Sequence, residues 1–267
     1  WDSSAGVCNL CTPIDVVFDD IEIINSAYQS ASELGSRLNL NLFSGVVNEK
    51  NEKASTSLKL KFQDLSDESS YKITITSDDV EITAGDEIGF YYGLVSLMQL
   101  AQTYHQLIPC GSIFDKPRFS WRGQHLDTVR HFYSVDSLLK LLDLMSLFKL
   151  NKFHWHGVDD EAFRFKLDRH PEIATATAKR GNNLSVPPVF GSGPDATGGC
   201  YDREDMHKVI NRASANYIEV MPEFDLPGHN MSLINLIPSM RDPEDKSYEV
   251  SVQGYSENTL NPAMPDT

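Results

Sequence analysis

The sequence predicts an α/β fold, in which the N-terminal part of a (β/α)8 TIM barrel follows a small α+β domain. From Trp121 onward, short apolar strands alternate with amphipathic helices, which is typical of right-handed βαβ units in a parallel sheet. Before that point, period-two strands and two helices show no cluster of catalytic residues. We expect the boundary near Asp115, which gives domains at residues 1–115 and 116–267.

The first domain is predicted to be a small sheet with helices packed on it. Residues 14–24 alternate loosely as an extended segment, and Asn25 or Ser26 can cap a following helix. A second helix is expected to open near Gly85, and residues 109–117 are interpreted as a linker. Three strands alternate apolar and polar residues, and the last two are joined as a hairpin: residues 57–62, 71–76 and 80–83.

The second domain is predicted to supply roughly the first three units of the barrel. The helices between its strands are expected at residues 134–148 and 202–215, and a Gly/Pro-rich stretch interrupts the pattern at 180–199. The predicted strands are residues 124–132, 152–158 and 217–221. In such a barrel, the active site is built on the loops that follow the strands.

Charged residues gather at the ends of these three strands. Asp159, Asp160 and Glu161 follow the second strand directly, Arg130 lies at the end of the first, and His229 follows the third. Neighbouring carboxylates repel one another and raise each other's pKa, which costs stability and is typical of a functional site. The alternative is a solvated acidic loop after a strand.

The overall charge limits the class of partner. The chain has 38 acidic against 23 basic residues and a formal charge of -15, which argues against nucleic acid as the partner, because phosphate binding requires a basic face. A neutral or cationic ligand suits it better. No run of about 18 apolar residues is present, so no membrane span is expected.

Three motifs in this order resemble family 20 glycoside hydrolases, the β-N-acetylhexosaminidases and chitobiases. They are LDTVRHF at 126–132, the run from NKFHWH to the acids at 151–160, and PEFDLPGH at 222–229. The stretch 188–199 is similar to a loop of the bacterial chitobiases. The resemblance implies an exo-acting enzyme without a cofactor, which removes terminal GlcNAc or GalNAc from chito-oligosaccharides or glycans by substrate-assisted retaining hydrolysis.

The resemblance also implies roles for three residues. Arg130 matches the arginine that holds hydroxyls of the terminal sugar, for which a guanidinium offers several fixed donors. Asp159 and His229 match a relay in which the carboxylate holds the imidazole and the imidazole supports the catalytic acid. Two structural interpretations stay open: Arg130 could form only an ion pair with Asp127 or Asp159, and His229 could only cap a helix. Phe163 stands where many members of the family carry Trp.

The catalytic Asp-Glu pair of the family follows the fourth barrel strand, and no matching motif occurs in this sequence. Asp160 and Glu161 belong to the second strand and are not interpreted as that pair. We therefore expect the pair beyond residue 267, the rest of the barrel from a longer or a second chain, and no activity from these 267 residues alone. The chain starts at Trp1 without a signal peptide, and a secreted, periplasmic or lysosome-like location is expected.

Two other functions remain possible at this stage. One is a non-catalytic GlcNAc-binding relative that keeps Arg130. The other is a metal-dependent barrel hydrolase, because His154 and His156 lie on one face of a strand and such pairs bind zinc in some enzymes. That site would need further ligands on later strands.

Overall fold

The structure is a computed structural model that describes residues 2–10, 14–18, 22–40, 42, 56–188, 195–245, 250 and 253–265. The chain divides into two compact units. The first is Trp1–Arg122 with the short segments Ser146–Lys149 and Ala215–Tyr217, and the second is Gly123–Met145, Leu150–Ser214 and Ile218–Thr267. The boundary near Asp115 stays a prediction.

The first unit is a mixed six-stranded sheet with two helices. The helices are α1 (Glu22–Arg37) and α2 (Glu87–Thr103). The strands are β1 (Asp2–Asn9), β2 (Ile14–Phe18), β3 (Thr56–Phe62), β4 (Tyr71–Ile75), β5 (Asp79–Ala84) and β6 (Leu107–Asp115). Their order in the sheet is β1-β6-β4-β5-β3-β2. The predicted hairpin is confirmed, because β4 and β5 pair antiparallel.

Alternating burial explains why these segments are strands. Ile73 and Ile75 of β4 are buried, whereas Lys72 between Tyr71 and Ile73 is exposed. Helix α2 begins at its N-cap Asp86, whose side chain accepts a hydrogen bond of 2.7 Å from the backbone N–H of Gly89.

Two sequence predictions for this unit are wrong. Residues 109–117 are not a linker, because β6 pairs antiparallel with both β4 and β1. The extended segment 14–24 ends early, since α1 begins at Glu22, ahead of the predicted caps, and Ile24 is buried on that helix. Residues 19–21 lie outside the described part of the chain.

The second unit is built on a parallel sheet, as predicted. Its sheet has the order β12-β8-β7, and a short β9 pairs antiparallel with β8. The strands are β7 (Gly123–Asp127), β8 (Lys152–Asp159), β9 (Ala162–Phe163), the pair β10 (Lys179–Arg180) and β11 (Thr197–Gly198), and β12 (Glu219–Phe224). The helices are α3 (Val135–Leu147), α4 (Pro171–Thr177), α5 (Arg203–Ala215) and α6 (Met231–Leu236), and a 3-10 turn follows at Pro238–Met240.

Strand β8 lies at the centre of this unit. Phe153, Trp155 and Val158 are fully buried in a core to which Leu142 of α3 and Val209 of α5 also belong. Because β8 has a parallel neighbour on each side, the carboxyl ends of all three strands meet at one edge of the sheet. That edge holds the charged residues that the sequence singled out.

The first predicted strand is shorter than expected. Strand β7 ends at Asp127, whose carboxylate accepts hydrogen bonds from the backbone N–H groups of Val129 (2.9 Å) and Arg130 (3.0 Å). Such side-chain bonds turn the chain out of the strand. In the chitobiase-like stretch 188–199, residues 189–194 lie outside the described part of the chain. Among the described residues, no helix is long and apolar enough to cross a membrane.

Candidate active site

Arg130 is the centre of an ion-pair cluster at the carboxyl edge of the parallel sheet. Its Nη1 lies 2.6 Å from Asp159 Oδ2 and 3.1 Å from Asp127 Oδ2, and its Nε lies 3.0 Å from Glu161 Oε2. Burial opposes the charge on this guanidinium, but the three carboxylates outweigh it and raise the pKa of Arg130. No described residue pairs with Nη2, and the side chain keeps 24% exposure. The predicted ion pair therefore exists, and it leaves donors on Nη2 for a ligand.

A second arginine, Arg164, fixes the backbone that carries Arg130. Arg164 is only 2% exposed and pairs with no carboxylate among the described residues. Burial lowers the pKa of Arg164 to about 10. Its guanidinium donates to four backbone carbonyls: Thr128 (3.0 Å), Val129 (2.7 Å), Ala178 (2.6 Å) and Gly199 (2.7 Å). Two of these carbonyls belong to the turn directly before Arg130, so Arg164 positions that turn.

His229 faces the two consecutive aspartates that follow β8. Its Nδ1 lies 3.3 Å from Asp159 Oδ1 and 3.1 Å from Asp160 Oδ2, and only the contact with Asp160 has hydrogen-bond geometry. Asp160 is fully buried and also accepts from Asn258 Nδ2 (2.9 Å) and from the backbone N–H of Met231 (3.0 Å). His229 itself adopts a left-handed backbone conformation with φ 57°, as several other residues of the chain do.

Asp159 is tied to the Arg130 side of the site. Burial alone would raise its pKa, but hydrogen bonds from His156 and from the backbone N–H of Asp160, together with the charge of Arg130, lower it. Asp159 is therefore a carboxylate that stays ionised. Asp159 and Asp160 both lie near His229, but Asp159 has its shortest contact with Arg130, whereas Asp160 accepts the hydrogen bond from His229.

Glu161 is a carboxyl group with few partners. It is 1% exposed, and neither of its oxygens makes an aligned hydrogen bond, although Arg130 Nε lies 3.0 Å away. Burial, reinforced by the charges of Asp159 and Asp160 and opposed by Arg130, raises the pKa of Glu161 to about 7. Near neutral pH this group therefore changes its charge beside Arg130.

Three histidines surround Glu223 on the same sheet. His154 Nε2 and His156 Nδ1 lie 2.6 Å and 2.9 Å from Glu223 Oε2, and His125 Nε2 lies 3.9 Å from it. The other ring nitrogen of His156 lies 2.9 Å from Asp159 Oδ2. Burial would lower the pKa of His156, but its hydrogen bond with Asp159 and its close contact with the Glu223 carboxylate outweigh burial and raise it.

The structure brings the predicted site residues together. Arg130, Asp159 and His229 lie within one contact network, although they come from three separate strand ends. Their roles in binding and catalysis stay predictions. His154 and His156 share one face of β8, as predicted, and Phe163 is buried against Phe224 with ring centroids 5.9 Å apart.

Several residues of the site were not singled out from the sequence. The sequence places Asp160 and Glu161 at the end of the second strand and excludes them as the catalytic pair, but it predicts no other role for them. Arg164 could have been noticed in the sequence, because it is a cation between two aromatic residues, Phe163 and Phe165. Glu223 lies within the motif at 222–229, but nothing in that motif predicts its contacts with the histidines of β7 and β8, and nothing near Asn258 predicts its contact with Asp160.

Comparison with known families gives two matches that together cover nearly the whole chain. Residues 119–267 match the family model "Glycosyl hydrolase family 20, catalytic domain", and residues 1–116 match "Glycosyl hydrolase family 20, domain 2".

Individual relatives and solved structures agree with this assignment. The chain is 31% identical to a β-hexosaminidase of Vibrio vulnificus over 97% of this chain and 32% of that protein. It is 30% identical to the N,N'-diacetylchitobiase of Vibrio harveyi over 75% of this chain and 26% of that protein. It superposes with a TM-score of 0.85 and 30% identity on a crystal structure of the family 20 exo β-N-acetylglucosaminidase of Vibrio harveyi in complex with N-acetylglucosamine, covering 99% of this chain and 41% of that one. The chain spans about a third of the length of the first relatives that it matches.

Proposed function

Because the chain belongs to glycosyl hydrolase family 20, we propose that the protein containing it is an exo-acting β-N-acetylhexosaminidase. Its substrates are chito-oligosaccharides or glycans that end in β-linked GlcNAc or GalNAc. The names of the relatives and the N-acetylglucosamine bound in the Vibrio harveyi structure support this proposal. The catalytic acid and its Asp partner are expected beyond residue 267, on barrel strands supplied by a longer chain or a second chain.

The observation that carries the proposal is the state of Arg130. Its guanidinium is oriented by three carboxylates, whereas its Nη2 has no partner among the described residues. Such a group offers fixed donors to adjacent hydroxyls of a sugar, and it does so without moving. We assign Arg130 to the hydroxyls of the terminal sugar.

His229 and the two aspartates form the second part of the proposed site. In the expected mechanism, the acetamido oxygen of the substrate attacks C1 and a carboxylic acid protonates the leaving oxygen. His229 is a positioning residue for that acid, because a carboxylate on Nδ1 fixes its tautomer and leaves Nε2 for another partner. The hydrogen bond from His229 supports a tautomer-fixing role for Asp160, and the short ion pair of Asp159 with Arg130 supports a role for Asp159 in orienting that guanidinium.

The substrate assay compares two chromogenic glycosides with the full-length protein. We expect cleavage of the β-N-acetylglucosaminide and no comparable cleavage of the matched β-glucoside, because only the first carries the acetamido group. Cleavage of the glucoside alone would refute the assisted mechanism. Saturable GlcNAc binding without any turnover would instead support the non-catalytic relative.

A second comparison distinguishes the roles of the two aspartates. Asp160→Asn is expected to lower kcat and change its pH profile, because His229 loses its charged partner. Asp159→Asn is expected mainly to raise KM, because Arg130 loses its shortest ion pair. Identical kinetic changes in the two variants would contradict this division of roles. A secreted, periplasmic or lysosome-like location stays a prediction.

A further inference from the structure

Three adjacent strands each direct one possible metal ligand to a single point. His125 lies on β7, His156 on β8 and Glu223 on β12, and Glu223 pairs in register with His156. One ligand atom from each of these residues lies within 4.8 Å of the other two. The group takes no part in the proposed hydrolysis.

The hydrogen bonding around Glu223 is incomplete. Its Oε2 is shielded from solvent and makes no aligned hydrogen bond, although nitrogens of His154 and His156 lie 2.6 Å and 2.9 Å away. His156 Nδ1 is likewise shielded and makes no aligned hydrogen bond. Shielded polar atoms whose close neighbours are not aligned for hydrogen bonding are uncommon in proteins, and an unused hydrogen-bonding capacity of this kind can be satisfied by a bound ion or a water molecule.

The spacing of the ligand atoms suits a small cation. Ligand atoms bonded to zinc at about 2.0–2.1 Å in a tetrahedral arrangement lie about 3.3 Å from one another. The distances from Glu223 Oε2 to His156 Nδ1 and to His125 Nε2 are 2.9 Å and 3.9 Å, on either side of that value. Small side-chain rotations would therefore admit an ion.

The surroundings of His156 also match those of a metal ligand. Its Nε2 lies 2.9 Å from Asp159 Oδ2 in a hydrogen bond and 3.2 Å from Arg130 Nη1, which leaves Nδ1 to face Glu223. A carboxylate on the far ring nitrogen is the usual support of a metal-binding histidine, because it fixes the tautomer and makes the other nitrogen more basic. A proton on His156 or a metal ion at its Nδ1 would each balance the negative charges of Asp159 and Glu223.

We propose that His125, His156 and Glu223 bind one divalent transition-metal ion of the zinc type at the carboxyl edge of the parallel sheet. Imidazole nitrogens with a single carboxylate are the ligands that zinc, copper and nickel prefer, whereas calcium and magnesium require more oxygens. Three protein ligands leave a fourth position for water or another group. His154, on the same carboxylate oxygen, holds Glu223 in place.

The test uses the full-length protein, freed of affinity tags and stripped of metal, and titrates it with zinc by calorimetry in the absence of substrate. We expect one zinc ion per chain at this site, and a visible absorption spectrum typical of tetrahedral coordination when cobalt replaces zinc. His125→Gln should weaken zinc binding at least about tenfold, as expected for a disturbed ligand set. Since His125 is half exposed, its replacement should leave the fold intact.

The matched control is His207→Gln, an exposed histidine on α5 outside the cluster, which should bind zinc as the unchanged protein does. The proposal is overturned if the unchanged protein binds no zinc. It is also overturned if His125→Gln binds zinc as tightly as the His207→Gln control. Because the titration contains no substrate, neither outcome depends on whether the protein hydrolyses an N-acetylglucosaminide.

Discussion

Replacing Arg164 tests how the buried guanidinium supports the site. Arg164→Met removes four hydrogen bonds from a charged donor to backbone carbonyls. At a low value of about 1.5 kcal/mol for each bond, they contribute about 6 kcal/mol. Holding the charge in a buried place costs part of this, since lowering the pKa from 12.5 to about 10 corresponds to about 3 kcal/mol. The net loss of stability is expected to be about 3 kcal/mol.

Arg164→Lys is expected to be no more stable than Arg164→Met. An ammonium group has three donors at one point, so it cannot span carbonyls that lie on different sides of a planar fork, and it still carries the cost of burial. The matched control is Arg169→Met, because Arg169 is an exposed arginine on the same segment and should change stability by less than about 0.5 kcal/mol.

Urea unfolding of the full-length protein measures the loss. With a slope of about 1–3 kcal/mol per molar, a loss of about 3 kcal/mol lowers the midpoint by about 1–3 M. Hydrogen exchange by mass spectrometry should also show faster exchange in the turn at Thr128 and Val129, whose carbonyls lose their donor. An Arg164→Lys variant as stable as the unchanged protein would refute the reasoning, because charge alone would then suffice.

The other predictions concern the residues around this turn. Arg130→Ala should lower kcat/KM for a β-N-acetylglucosaminide about a hundredfold through the loss of about 2–3 kcal/mol of charged hydrogen bonding, and an unchanged value in a folded variant would exclude Arg130 from the site. Glu161 has its pKa raised from 4.5 to about 7, so the protein should lose up to about 3 kcal/mol of stability as pH rises through that window; urea midpoints of Glu161→Gln should lack this loss, and parallel pH profiles would contradict it. Gly157→Ala should cost about 1–3 kcal/mol, because its Cβ would overlap the ring of Phe165. The double variant with Phe165→Leu should recover part of this loss in thermal melting, and no recovery would point to another cause.

The meeting of the charged residues could be predicted from the sequence, because parallel strands bring their carboxyl ends to one edge. The different contacts of Asp159 and Asp160 could not be predicted from the sequence. They depend on the end of β8 and on the turn into β9, which send two neighbouring carboxylates toward different partners. Asn258 reaches Asp160 across 98 residues of sequence, and no local pattern reports such a contact.

In the first unit, too, only part of the fold could be predicted from the sequence. Strands β3, β4 and β5 could be predicted, since each buries one face and alternates accordingly. Strand β1 is exposed along most of its length and pairs with distant β6, for example Asp2 with Ser112. An exposed strand needs no apolar alternation, so its sequence is typical of a loop. Its partner β6 overlaps residues 109–117, for which the sequence predicts a linker instead.

Asp127 fixes both the turn that follows β7 and the orientation of the Arg130 side chain. One oxygen of its carboxylate accepts two backbone N–H groups of the turn, and the other lies 3.1 Å from the guanidinium of Arg130. A free arginine side chain carries about 2 kcal/mol of rotamer entropy, which a ligand must otherwise remove on binding. Here a single short, stiff group fixes both the backbone and the guanidinium before any ligand arrives. Most of that entropy is already lost on folding, so more of the interaction with an incoming hydroxyl remains as affinity.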